Sequence, residues 1–383
     1  MSLHILSDAD VRSVLASVDK TALNKLCDTL GAALYAYSNQ GEKEYQCHRQ
    51  GVTRPGGSTM LFMPATLADG SSVKVVGVPP PAPADVGPDY VPKAITGVVM
   101  ISDADGRATG VLNAAALTAF RTSLGAIILY RYRLVTKDIV VFGAGKQAQW
   151  HLYLSLVLRR PDISSITIVN RSAARAESLI TELHTMGGSP ADLAHIKFTV
   201  VAPTDTATVK AAVQQADVIY CTTPSTEPVF PADWVDSDVG RKKSRFISAI
   251  GSYKLDMQEI DPALLRAVAT DKTYPEAYFP GAVGINTNGG VILVDSRDAC
   301  AAEAGELVNA GIPESHILET GELLKLQEDM AENAKKQSYL TQWLARGNVI
   351  YKSVGIGIMD LCIGRALLKM GADKSIGTTI PSF

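Results

Sequence analysis

Residues 139–149 run Ile-Val-Val-Phe-Gly-Ala-Gly-Lys-Gln-Ala-Gln, a short apolar run that ends in Gly-x-Gly-x-x-Ala and opens into an amphipathic helical pattern. That phrase binds dinucleotides for physical reasons. Gly143 permits the tight turn, and Gly145, with no Cβ, lets the backbone approach a pyrophosphate. Ala148 replaces the third glycine where helix and strand pack closely. The helix start, through Ala144, Lys146 and Gln147, then aims free N–H groups and a positive dipole end at phosphate. The second strand of this region ends at Val169 and is followed by Asn170-Arg171-Ser172. An acidic residue there would hydrogen-bond the adenosine ribose 2′-hydroxyl and select NAD; none is present. Arg171 can pair with a 2′-phosphate, Asn170 and Ser172 can hydrogen-bond it, and Arg175 adds charge. A solvated arginine at a helix start is the competing explanation, and the helix dipole disfavours it. The expected cofactor is therefore NADP(H) in preference to NAD(H).

The elements that must position this turn follow from periodicity. From residue 138 the chain alternates strand and helix, with strand candidates at 139–142, 166–169, 197–201, 217–221, 245–250 and 291–295. That grammar predicts a doubly wound parallel sheet. Its strand ends bring Thr222, Thr223 and Ile250 to the cofactor side. Before it, Ser7-Asp8-Ala9-Asp10 predicts a helix start, continuing through about residue 38. Apolar β-type stretches at 58–63, 73–78 and 96–101 are separated by Gly/Pro-rich turns, and 114–132 reads as a long helix. The first part of the chain is thus an α+β unit with mostly antiparallel strands. Pro79 to Pro83 reads as a surface loop, 271–290 as a long irregular insertion, and 348–370 as a long apolar helix returning to the first domain.

Composition narrows the class. The 383 residues are 46% hydrophobic and 20% charged with a net charge of −3, ordinary globular values with no basic excess for nucleic acid or an anionic membrane surface. No apolar run is long enough to span a bilayer, and the N-terminus carries no secretory pattern. Cys27, Cys47, Cys221, Cys300 and Cys362 are dispersed, and the six histidines form no ligand spacing. A cytoplasmic enzyme with reduced thiols and no metal is expected.

Several segments converge in order and spacing: His48-Arg49, Met63-Pro64-Ala65, Val73-Lys74-Val75-Val76, Leu117 to Ser123 with Arg121-Thr122, Gly143 to Ala148, and Lys352-Ser353-Val354-Gly355. Together they resemble the ornithine cyclodeaminase/mu-crystallin family over nearly the whole chain. The resemblance implies a Rossmann-type NAD(P)-binding domain at 128–342 and a substrate-binding and dimerisation domain built from 1–127 and 343–383. It also implies a homodimer and a small amino or imino acid substrate. Arg49, with Arg54 a nearby rival, and Arg121 would hold the substrate carboxylate, Lys74 would be the active-site lysine, Met63 would line the substrate, and Thr122 with Ser353, Val354 and Gly355 would meet the cofactor. The residue chemistry agrees. Two guanidinium groups can fix a carboxylate and so orient the neighbouring carbon. A lysine partly desolvated near two arginines has a lowered pKa, which suits proton donation near neutrality. Strand alternation sets Lys74 opposite Val73 and Val75, so a solvent-facing lysine is the alternative.

One departure is informative. Cyclodeaminases of the family carry an aspartate after the glycine turn that follows the fifth strand of the nucleotide domain. Here the sequence is Ile250-Gly251-Ser252-Tyr253-Lys254-Leu255-Asp256, with Tyr253 at that position and Asp256 out of register. A phenol cannot replace a carboxylate base at neutral pH. Tyr253 is left to touch substrate or nicotinamide, or simply to pack. Glu303, Gly305 and Glu306 echo a family pattern, with a solvated helix face expected for the glutamates. The expected activity is NADPH-dependent reduction of a C=N bond in a small imino or ketimine carboxylate of the proline or pipecolate type. Ornithine cyclodeaminase, an alanine-type dehydrogenase and a non-catalytic binder are the alternatives.

Overall fold

The computed structural model describes residues 2–80, 95–186, 190–270, 290–330 and 334–383. The chain divides into two compact units, Met1–Leu124 with Ile356–Phe383, and Gly125–Gly355. The expected loop at 79–83 lies outside the described residues beyond Pro80, and the expected insertion at 271–290 lies outside them but for Gly290.

The first unit is built on a seven-stranded sheet of order β15-β1-β6-β5-β4-β3-β2. Its strands are β1 (Ser2–Leu6), β2 (Gln50–Thr53), β3 (Thr59–Leu67), β4 (Gly70–Val78), β5 (Thr96–Asp103), β6 (Ala108–Asn113) and β15 (Thr378–Pro381). Only β1 and β6 pair in parallel; every other neighbour is antiparallel. The strand candidates 73–78 and 96–101 fall inside β4 and β5, and 58–63 overlaps β3 from its second residue on. β1, β2, β6 and β15 were not anticipated, because they are short and lack a clean alternation. The single helix expected from Ser7 to about residue 38 is two helices, α1 (Asp8–Ala16) and α2 (Lys20–Asn39). The break has a local cause: Ser7 caps α1 with a reciprocal capping box to Asp10, and Asp19 caps α2 by accepting from the Ala22 N–H at 2.7 Å. Each such cap contributes about 1 kcal/mol, so a second start signal inside one amphipathic stretch divides it. α3 (Ala114–Tyr130) forms as expected, and the helix Gly357–Asp373 packs against β3 and β4.

The second unit carries an eight-stranded, wholly parallel sheet of order β13-β12-β14-β11-β10-β7-β8-β9. The strands are β7 (Asp138–Phe142), β8 (Ser165–Val169), β9 (Lys197–Val201), β10 (Val218–Cys221), β11 (Phe246–Ala249), β12 (Ile292–Val294), β13 (Ile317–Glu319) and β14 (Val349–Lys352). Chain order runs outward from β7 through β8 to β9, then from β10 through β11 the other way. The topological switch therefore lies between β7 and β10, where such sheets bind ligands. This is an α/β architecture of the doubly wound, Rossmann type beside an α+β unit drawn from both termini. One expectation is corrected: 348–370 is not one helix. Val349–Lys352 is a strand paired with β11 and β12, and the helix begins at Gly357. A continuous run, Val-Ile-Tyr, buried on both faces has no period to distinguish strand from helix. Among the described residues no helix is long and apolar enough to cross a membrane. All five cysteines are free thiols.

Candidate functional site

In the second unit the register brings the strand ends into one row: Val201, Val169, Phe142, Cys221, Ala249, Lys352, Val294 and Glu319 are successive cross-strand partners. The expected cofactor residues Gly143, Asn170, Thr222, Ile250 and Ser353 are each the first residue past that row. Residues scattered over 211 positions (143 to 353) thus share the C-terminal edge of the sheet.

Gly143 and Gly145 are glycines for different reasons. Gly143 has φ +103, and a Cβ there would lie 2.9 Å from Thr222 Oγ1. Its N–H donates to the Val169 carbonyl at 2.9 Å, closing the turn. At Gly145 a Cβ would meet nothing within 4 Å, so protein packing does not demand glycine there. Free approach by a pyrophosphate does. α4 (Lys146–Arg159) starts from Gly145 with no side-chain cap, which leaves its first N–H groups to an anion. Ala148 is fully buried, as close helix–strand packing requires, and Gln147 is half-buried. Lys146 turns along the helix instead, its Nζ donating to Gln149 at 2.9 Å and Glu182 at 3.2 Å. Arg171 and Arg175 are exposed beyond β8. Asn170 Nδ2 donates to the Ser172 carbonyl at 2.8 Å, and Ser172 Oγ accepts from the Arg175 N–H at the start of α5 (Ala173–Met186). These features fit a dinucleotide on the Gly143–Ala148 turn.

Buried acids, none of which was expected to matter, organise the neighbouring loops. Glu259 accepts from the Thr223 N–H at 2.6 Å, the Thr223 hydroxyl at 3.1 Å and the Gly251 N–H at 2.5 Å, tying the loops after β10 and β11 together. Burial pushes its carboxyl up to about 7, against the pull of Lys352 and these donors. Asp295 accepts from the Ser353 hydroxyl at 2.6 Å and the Gly355 N–H at 2.7 Å, shaping the Ser353-Val354-Gly355 turn. Glu306 is corrected from a solvated helix face to a fully buried group, 3.1 Å from Lys352 Nζ and accepting from Ser252 Oγ at 2.6 Å. Lys352 also donates to the Ser252 carbonyl at 2.6 Å. Glu303 is half-buried, and Gly305 is buried. Tyr253 is half-buried with Lys254 Nζ 5.9 Å from its ring centroid, and Asp256 is exposed.

The first unit gathers a second set of groups. Lys74 is 1% exposed. Alternation along β4 places it on the buried face with Ser72 and Val76, leaving Val73 and Val75 on the more open face. The charged residue is inside, as a desolvated lysine requires, and the valines are half out. Lys74 Nζ lies 2.6 Å from Asp360 Oδ2, and Arg121 Nε lies 3.1 Å from Asp360 Oδ1. Arg121 Nη1 meets the weak acceptor Met359 Sδ at 3.6 Å. Burial, with the positive charge of Arg121, lowers the Lys74 ammonium from 10.5 to about 8, opposed by Asp360 and helped further by Arg49. Arg49 is half-buried just before β2, Met63 is the buried cross-strand neighbour of Lys74, and Thr122 is buried beside Arg121 in the same unit. Asp360 escaped sequence reading because a lone aspartate in an apolar helix has no spacing signal. Its one cue is its place in the first turn, where the helix dipole favours a carboxylate. Among the described residues no group of three His, Cys, Asp or Glu side chains could hold a metal ion.

Comparison with known proteins agrees with this architecture. The Delta(1)-pyrroline-2-carboxylate reductase of Bacillus cereus is 25% identical over 334 residues, 84% of this chain and 85% of that protein. The ketimine reductase mu-crystallin of Mus musculus is 24% identical over 276 residues, 71% of this chain and 68% of that protein. Among solved structures, Thermococcus litoralis Delta(1)-pyrroline-2-carboxylate reductase, in complex with NADH and L-proline, superposes with a TM-score of 0.68 at 17% identity, covering 98% of this chain and 99% of that one. The model of the ornithine cyclodeaminase/mu-crystallin family matches residues 7–313, and the chain belongs to that family.

Proposed function

We propose that the protein is an oxidoreductase that reduces the C=N bond of a small imino or ketimine carboxylate, with cyclic imines of the proline and pipecolate type as its substrates and NADPH as its reductant. The observation that carries this reading is the buried Lys74–Asp360–Arg121 cluster in a chain that also presents a dinucleotide turn. Family relatives named as reductases of such imines support it. A bound nicotinamide nucleotide supplies the hydride. Arg121 and Arg49 hold the substrate carboxylate and so fix the imine carbon. Lys74, as an ammonium, donates to the imine nitrogen, which makes that carbon electrophilic and leaves the product a secondary amine. The nitrogen gains the proton and the carbon gains the hydride, so no other reactant is needed.

The acid role fixes the pH dependence. The ammonium is present below the Lys74 pKa and lost as pH rises through it, so activity falls on the alkaline side of about pH 8 instead of near 10.5. The decisive assay is kcat/KM against pH for five- and six-membered cyclic imino carboxylates with NADPH and NADH. Nicotinamide oxidation with an alkaline limb near pH 8 is the expected result. Conversion of ornithine to proline and ammonia with no net nicotinamide change, or amino-acid-dependent nicotinamide reduction alone, would replace this reading.

The NADPH preference rests on Asn170-Arg171-Ser172 past β8, a stretch without a carboxylate residue. Arg171→Asp is expected to lower kcat/KM with NADPH about 10- to 100-fold relative to NADH, the loss of one or two charge-assisted hydrogen bonds. Steady-state kinetics with both nucleotides checks this, and an unchanged ratio removes Arg171 from the site.

We also read the protein as a cytoplasmic homodimer. Val52, Met60, Phe62, Val98 and Met100 are exposed. Cross-strand register places Phe62, Val75 and Val98 in one row and Val73 and Met100 in the next, on the face opposite Lys74. A contiguous apolar sheet face of this kind suits an isologous interface.

A further inference from the structure

The geometry points to Asp360 as the positioning residue of the substrate site: its two oxygens hold the Lys74 amine and the Arg121 guanidinium in one fixed arrangement, which turns the outer Nη edge of Arg121 toward a ligand carboxylate. This rests on the imine-reduction reading and extends it to a residue outside the motifs. A carboxylate has two oxygens, and each is taken by a different cation, Oδ2 by Lys74 Nζ at 2.6 Å and Oδ1 by Arg121 Nε at 3.1 Å. All three side chains are 4% exposed or less, so water does not compete for these bonds. Arg121 spends its inner nitrogen on Asp360. Its Nη1 meets only thioether sulfur, at 3.6 Å, a poor acceptor for a guanidinium. A bidentate carboxylate partner suits that edge better than anything the described residues bring to it.

The backbone is shaped for the same end. Asp360 sits in the first turn of the helix Gly357–Asp373, where the helix dipole favours a negative charge. That helix approaches β3 so closely that a Cβ on Gly357 would lie 2.7 Å from the Pro64 carbonyl oxygen. Close approach brings Asp360 within reach of Lys74 on the adjoining strand. Three cations share the neighbourhood, Lys74, Arg121 and Arg49, and among the described residues Asp360 is the carboxylate that acts most strongly on Lys74. Among the described residues the Cys362 thiol also faces Asp360 and is held neutral, pushed up to about 12 by burial and by that carboxylate. Without Asp360, Lys74 would face two guanidinium charges with no counter-charge, and the amine would lose its proton at lower pH.

The test compares wild-type enzyme with Asp360→Asn and Asp360→Glu. For each, kcat and KM for the imine are measured against pH, the Lys74 amine is titrated by nitrogen NMR, and thermal melts are recorded. In Asp360→Asn the alkaline limb and the Lys74 titration both move at least about one pH unit lower, and KM for the imine rises as Arg121 loses its anchor. In Asp360→Glu the charge remains, so the titration stays near that of wild type while kcat falls about tenfold, because the longer side chain moves the amine. A purely structural aspartate would lower the melting temperature and leave the limb, the titration and KM where they were; that result overturns the assignment. If Asp360→Asn does not fold, Asp360→Glu decides: a titration displaced downward despite the retained charge, or an unchanged kcat, overturns it. Wild-type enzyme inactive on every imine would overturn the functional reading alone, since the NMR titration reports on Asp360 without turnover.

Discussion

Lys74→Met is expected to slow imine reduction by about 10²- to 10⁴-fold in kcat at pH 7, the contribution of a positioned proton donor. The fold should survive the change. Asp360 keeps the Arg121 bond at 3.1 Å, so no buried charge is left without a partner. Methionine fills the volume of the lysine stem on the buried face of β4. Nucleotide binding should be unaffected, because Lys74 is not one of the residues read as holding the cofactor. The variant therefore separates chemistry from folding and from cofactor affinity. Single-turnover nicotinamide oxidation reads the chemical step, and fluorescence titration reads nucleotide binding. A Lys74→Met protein that reduces imines at the wild-type rate would end the proposed proton donation, and with it the alkaline limb near pH 8.

The second large effect is on stability. Lys352→Met leaves Glu306, which is 0% exposed, without its cation. Breaking a buried pair from one side costs about 3–5 kcal/mol, since the remaining charge keeps its desolvation penalty. For a unit of this size that lowers the melting temperature on the order of 10 °C. The Ser252 hydroxyl still donates to Glu306 at 2.6 Å and softens the loss. Adding Glu306→Gln to Lys352→Met should restore part of it, because the stranded charge is then gone. Calorimetry of the two single variants and the double variant completes the cycle. A Lys352→Met melt equal to wild type would mean that the Lys352–Glu306 pair does not hold the loops after β11 and β14.

These two lysines show how unevenly a sequence reveals its site. Lys74 was visible because a charge interrupts a valine-rich strand, and its desolvation was expected, although alternation alone left a solvent-facing lysine open as the alternative. Strand period says which residues share a face; it does not say which face is covered. Here the helix Gly357–Asp373 packs against β3 and β4 and buries the lysine face. Lys352 was legible only as part of a Lys-Ser-Val-Gly motif. Its role as counter-ion to Glu306 depends on strand order, which places β14 beside β11. Glu259 and Asp295 left no usable signal, Asp360 only its place in a first helical turn, and Glu306 a family pattern that did not reveal its burial, because a single carboxylate in an apolar stretch looks the same whether it is solvated or sealed inside.

The amino-acid sequence by itself determined the features that are local: the Gly143–Ala148 turn, the alternation of strand and helix that follows it, the missing acid at 170–172 and the Arg121-Thr122 and Lys352 to Gly355 phrases. Each is written within a few consecutive residues, where backbone sterics and hydrogen-bond periodicity act directly. Only the tertiary structure decided which charges meet. Lys74 and Asp360 stand 286 positions apart, Arg121 and Asp360 239. Contact between them is set by how the C-terminal helix closes on the sheet. Burial then makes those contacts strong, because a carboxylate shared by two cations away from water governs both, whereas the same residues in solvent would ignore one another.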